Sequence, residues 1–208
     1  MLKTARIAVL VSGGGTNLQA LIGAQNKGLL KSGKIELVIS NKKDAYALVR
    51  ARKAGIPAET VIRTKEKGQA DFEQRVKTLL TEYRIDLIIL AGFMSILTED
   101  FTKDYPRRII NVHPALIPSF CGKGYYGLKV HEEALKKGVK VTGATVHFVN
   151  EIPDGGEIIA QKAVYVREDD TPETLQKRVM RLAEWKILPA SAEKVSQEII
   201  ANREEEKA

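Results

Sequence analysis

Short apolar runs alternate with longer stretches of helical period along the first half of the chain, and nothing else in the sequence restricts the fold as much. Residues 6–11, 35–40, 58–62, 86–91 and 108–112 read as strands, the first continuous and β-branched enough to be buried on both faces. Helices are expected between them at 17–27, 44–53, 72–83 and 98–105. In the third, Phe72, Val76, Leu79, Leu80 and Tyr83 share one helical face. This β-α-β order predicts a parallel sheet with helices on both sides, because right-handed crossovers put them there. After His113 the pattern changes: a loop rich in Pro, Gly and Tyr runs to about Leu128, and a short helix opens at His131. Strands near 139–149 and 158–166 follow, joined by the turn Pro153-Asp154-Gly155-Gly156. They predict an antiparallel addition to the sheet. A long helix is expected from Thr171, capped by that residue with Pro172 in its first turn, and the charged tail 203–208 is expected to fray. The expected class is α/β: a Rossmann-like three-layer fold, mostly parallel, with an antiparallel C-terminal addition.

Composition narrows the function classes. The 208 residues support a single domain, 1–208, and the 44% hydrophobic content is that of a globular chain. One cysteine, Cys121, allows neither an internal disulfide nor a thiolate zinc cluster, so a reducing compartment is expected. No apolar run reaches a membrane span and the opening stretch does not read as a signal peptide, which predicts a cytoplasmic protein. The net charge of +7 suits nucleic acid, an anionic membrane surface or phosphorylated and carboxylated small molecules. Basic residues are scattered without a block of five, which predicts neither a nucleic-acid nor a membrane partner.

Three groups of residues could carry chemistry. Ser12-Gly13-Gly14-Gly15-Thr16-Asn17 stands between the first strand and the first helix, where converging backbone N–H groups and the helix dipole favour a phosphate. It matches neither the dinucleotide nor the triphosphate fingerprint, and it also suits a plain tight turn with a helix cap at Thr16 or Asn17. Asn111 and His113 emerge on one face at the end of the fifth strand, at the edge where an open α/β sheet holds its ligands. An amide donor beside an imidazole suits an oxyanion, and equally a structural hydrogen-bonded pair. Asp154 could orient His113 or relay its proton, or could be a turn residue only. His147, in an apolar run, reads as a core histidine with satisfied ring nitrogens, and His131 as a surface or capping residue. No grouping has metal-ligand spacing, so no metal is expected.

Taken together, residues 11–20, 91–97, 110–118, 143–149 and 154–156 resemble the phosphoribosylglycinamide formyltransferases over roughly 5–195. The resemblance implies formyl transfer from 10-formyltetrahydrofolate to the amine of glycinamide ribonucleotide, a step of purine biosynthesis. It implies that Gly15, Thr16 and Asn17 hold the substrate phosphate and that Glu184 contacts the ribose. It further implies that Gly92, Met94, Ser95, Ile96 and Leu97, with Asn150 and Glu151, line the folate pocket, and that Asn111, His113 and Asp154 are catalytic. The phosphate end would then fall in an N-terminal half (about 1–107), and catalysis and folate binding in a C-terminal half (about 108–200). A monomer or homodimer is expected. Two departures stand out: Ser95 replaces an arginine found in many members, and the segment 120–127 is longer than usual. A formyltetrahydrofolate hydrolase or a methionyl-tRNA formyltransferase could use the same three residues, but those families carry further domains, for which 208 residues are expected to leave no room. A non-catalytic nucleotide-binding module would leave Asn111, His113 and Asp154 without a joint purpose.

Overall fold

The computed structural model describes residues 4–205. Its centre is a seven-stranded sheet in the order β3-β2-β1-β4-β5-β6-β7. The strands are β1 (Ala5–Val11), β2 (Gly33–Ser40), β3 (Ala58–Thr60), β4 (Leu87–Leu90), β5 (Ile109–His113), β6 (Val141–Phe148) and β7 (Ile158–Tyr165). The first five run parallel; β6 and β7 are antiparallel, as the change of pattern after His113 predicts.

Period-two alternation along β1 sends side chains to two cores. Ile7, Val9 and Val11 meet α1 (Thr16–Asn26) and α7 (Trp185–Glu205) through Leu18, Leu21, Leu188 and Val195. Ala8 and Leu10 turn the other way, toward Phe72, Val76 and Leu80 of α3 (Gly68–Glu82) and Phe101 of α4 (Glu99–Lys103). Leu87–Leu90, flanked by strands and covered on both faces, is buried throughout. The remaining helices are α2 (Tyr46–Lys53), α5 (Leu128–Lys137) and α6 (Pro172–Val179).

Four details depart from the sequence reading. Gly15, not Thr16 or Asn17, occupies the cap of α1, and no side chain caps it. The short helix opens at Leu128, so His131 lies inside it rather than at its start. The long C-terminal helix is interrupted by a π-turn, Met180–Glu184, between α6 and α7; Thr171 does cap α6, with Pro172 in its first turn. Arg203–Glu205, expected to fray, stay helical, and the rest of that tail, 206–208, lies outside the described residues.

Chain order reverses beside β1: β2 and β3 build outward on one side, β4 and β5 on the other. The C-terminal ends of β1 and β4 therefore open a crevice. Ser12 bridges it, its Oγ accepting the Met94 N–H at 2.8 Å.

Candidate functional site

At the β1 end of the crevice the chain turns sharply into α1. Gly15 adopts a left-handed conformation (φ 71°), and a Cβ there would stand 2.6 Å from Cβ of Ala47, so the close approach of α2 requires glycine. Asn17, one residue into the helix, points its side chain back: Nδ2 donates to Oε2 of Glu184 at 2.7 Å, while Oδ1 has no partner. Glu184 ends the π-turn and is only 5% exposed. Burial pushes its carboxyl up to about 7, against the opposing pull of the Asn17 amide.

At the far end, β5 and β6 present a polar row. Asn111 pairs across the strands with His147, and His113 with Thr145, on the face that carries Ile109 to the α3 side. His113 is 4% exposed. Its Nε2 lies 2.8 Å from the Phe120 carbonyl, which can only accept, so Nε2 carries a proton; Nδ1 faces Oδ2 of Asp154 at 3.4 Å. Asp154 itself sits in a left-handed turn (φ 57°), backed by Gly156, where any Cβ would collide with the Phe148 carbonyl. The Gly122 N–H donates to Asp154 Oδ2 at 2.8 Å. The loop of residues 120–127 thus grips both ionisable groups through its backbone.

Burial lowers the His113 pKa below its ordinary value, outweighing the carboxylate of Asp154 and the Phe120 carbonyl, which raise it. At neutral pH the ring is neutral. Burial of Asp154 acts to raise its pKa, but the rings of His147 and His113, whose pull acts when the nitrogen facing the carboxylate is protonated, and the Gly122 N–H together hold it below the usual carboxylate value. It is ionised.

The two ends share one cavity of about 560 Å³, lined by Thr16, Asn17 and Glu184 at one end and Asn111, His113 and Asp154 at the other. Gly92, Met94, Ser95 and Ile96 form part of its wall. Leu97, Asn150 and Glu151 are not in that wall; they line an adjoining pocket of about 120 Å³, which shares Ser95, Ile96, Asn111 and Asp154 with it. Gly15 does not line the cavity and acts on it through the turn it permits. Ser95, in the position expected for arginine, accepts a hydrogen bond from Nδ2 of Asn41 at 2.8 Å. A larger cavity of about 900 Å³ between α1 and α7 contains none of the Asn111, His113 and Asp154 group.

Two histidines belong to this neighbourhood that sequence reasoning set aside. His131 lines the cavity wall, is fully buried rather than on the surface, and has both ring nitrogens unpartnered. Burial and the neighbouring His113 push its pKa down to about 4. The apolar spacing of His131, Ala134 and Leu135 along a helix was the available signal. His147 does have satisfied ring nitrogens, as expected, but one of its partners is Asn111. Among the described residues no group of three or more His, Cys, Asp or Glu side chains could hold a metal ion, and no helix is long and apolar enough to cross a membrane.

Comparison with known proteins gives the geometry its family. Residues 5–191 match the model of the formyl transferase family. The chain belongs to that family. It is 42% identical over 184 residues to the phosphoribosylglycinamide formyltransferase of Haemophilus influenzae, covering 88% of this chain and 84% of that protein. It is 45% identical over 194 residues to the human trifunctional purine biosynthetic protein adenosine-3, covering 93% of this chain but only 18% of that much longer relative. Among solved structures, glycinamide ribonucleotide transformylase 1 of Symbiobacterium toebii superposes with a TM-score of 0.87 at 38% identity, covering 95% of this chain and 90% of that one. Formyl transferase relatives therefore share the fold as well as the sequence pattern.

Proposed function

We propose that this protein transfers a formyl group from 10-formyltetrahydrofolate to the amine of glycinamide ribonucleotide, as a cytoplasmic step of purine biosynthesis. The observation that carries the reading is the shared cavity: an amide, an imidazole and a carboxylate at one end, and the start of α1 with the buried acid Glu184 at the other. Backbone N–H groups at the start of α1 suit the phosphate, and Glu184, in the lining of the same end, suits the ribose hydroxyls. The wall formed by Gly92, Met94, Ser95 and Ile96, continued by Leu97, Asn150 and Glu151, suits the folate; Met94 and Ile96 are exposed apolar side chains that a flat ring system can cover. Of these groups, the glycine turn and Gly92–Leu97 come from before about residue 107, and Asn111, His113, Asn150, Glu151, Asp154 and Glu184 from after it.

In this reading the amine attacks the formyl carbon directly, and the carbonyl oxygen becomes an oxyanion that an Asn111 N–H stabilises. The proton leaves the amine nitrogen for the Asp154–His113 pair and passes from it to N10 of the departing tetrahydrofolate, so the C–N10 bond breaks as the new amide forms. Neutral His113 can accept that proton, and as an imidazolium it adds positive charge near the oxyanion. Ionised Asp154 holds it in place.

Incubation with 10-formyltetrahydrofolate, with and without glycinamide ribonucleotide, tests the proposal. Tetrahydrofolate is expected only when the amine is present. Its equal release in both mixtures would identify a hydrolase and overturn the reading.

A further inference from the structure

His147 is more than packing under the site. It lies at the register position opposite Asn111 on the neighbouring antiparallel strand, is 1% exposed, and sits beside a bulge where β6 and β7 shift register between Val146 and His147. Bulges re-aim side chains, and this one stands beside the polar row. Its Nδ1 is 2.7 Å from the Phe148 carbonyl. A carbonyl only accepts, so Nδ1 carries the hydrogen, and in the neutral ring Nε2 is left as a bare acceptor. That acceptor lies 3.2 Å from Nδ2 of Asn111. Asp154 Oδ1 is farther, at 3.6 Å, beyond a normal hydrogen bond.

The consequence is directional. A carboxamide can present its NH₂ or its oxygen by a half-turn about its last bond, and the two presentations have opposite effects on a developing oxyanion. With one amide hydrogen held by His147 Nε2, the NH₂ end of Asn111 is fixed and its second hydrogen remains available. We propose that His147 is a positioning residue, whose Nδ1–H tautomer sets the Asn111 carboxamide so that it offers a donor, not an acceptor, to the formyl oxygen. This rests on the formyl-transfer reading for its purpose, though the tautomer and the amide orientation can be measured without it.

Two measurements test it. In the full chain labelled with ¹⁵N-histidine, with the His147 signal assigned by its loss in His147→Gln, the ring at neutral pH should be the Nδ1–H tautomer. An Nε2–H tautomer or an imidazolium would overturn the proposal. In steady-state kinetics, His147→Leu, which removes the acceptor, should lower kcat by about 10- to 100-fold, approaching the loss of one oxyanion donor. KM for either substrate should move by no more than about threefold. His147→Gln restores an amide oxygen near the Nε2 position and should recover kcat to within about fivefold of the parent. Gln as impaired as Leu, or Leu at near-parental kcat, would refute the assignment. Should the Leu variant fail to fold, the tautomer and the Gln variant still decide. Failure of the parent protein to transfer formyl would sink the functional reading while leaving the NMR result to judge this one.

Discussion

The two ends of the cavity are built on opposite plans. The β1 end starts from a local backbone feature, a left-handed glycine at a helix start within six residues of sequence, to which Asn17 and Glu184 add one long-range pair. The β5–β6 end is made of side chains brought together by long-range contacts, among them Asn111 with His147 and His113 with Asp154. A backbone site tolerates changes of side chain but not of conformation, whereas a side-chain site depends on the identity of each group as well as on its placement.

Removing the charge at the β5–β6 end should have the largest effect. Asp154→Asn keeps a residue that accepts the left-handed turn, so the fold should survive while kcat falls by about 10²–10⁴. Stopped-flow or steady-state formyl transfer reads this directly, and a variant within tenfold of the parent would mean that Asp154 acts structurally.

Next is the glycine turn. Gly15→Ala should lower stability by about 1–3 kcal/mol, from the strained φ and the contact with Ala47, and should weaken binding of glycinamide ribonucleotide. Thr16→Ala, which leaves the backbone donors intact, should change that affinity by no more than about threefold. Calorimetric titration compares the pair; a larger loss in Thr16→Ala would reverse the contrast.

The last effect concerns pH and is spread over more than two pH units. Glu184 has its carboxyl raised to about 7 in the fold, above its unfolded value of 4.5. Between those values the folded state holds the proton more tightly, so stability is greatest below the unfolded pKa and declines as pH rises through the folded one. The loss is at most about 3 kcal/mol. Thermal unfolding of Glu184→Gln from pH 4 to 8 should lack that decline, and parallel pH profiles for variant and parent would refute it.

How far these features could be read from the sequence follows the same division. The glycine turn was visible because all its parts are neighbours, and the parallel strands because a sheet buried on both faces needs continuous apolar runs such as residues 86–91. Asn111 and His113 were visible as a pair through period-two alternation. Asp154 could be suspected only from its turn and from resemblance. The π-turn left no local mark, since the residues that make it are ordinary helix formers. His131 was misjudged because a histidine near a helix start looks polar, and its burial depends on what packs over it.

By itself, then, the sequence determined the elements, their alternation and the glycine turn at the start of α1, because propensity, periodicity and glycine conformations act over a few residues. Only the tertiary structure decided which ionisable groups face one another. The register of β5 against β6 set Asn111 on His147, the loop of residues 120–127 gripped His113 and Asp154, and the helix interruption brought Glu184 to Asn17. Hydrogen-bond partners and burial are properties of distance in space, and residues far apart along a chain acquire them only when the chain has folded.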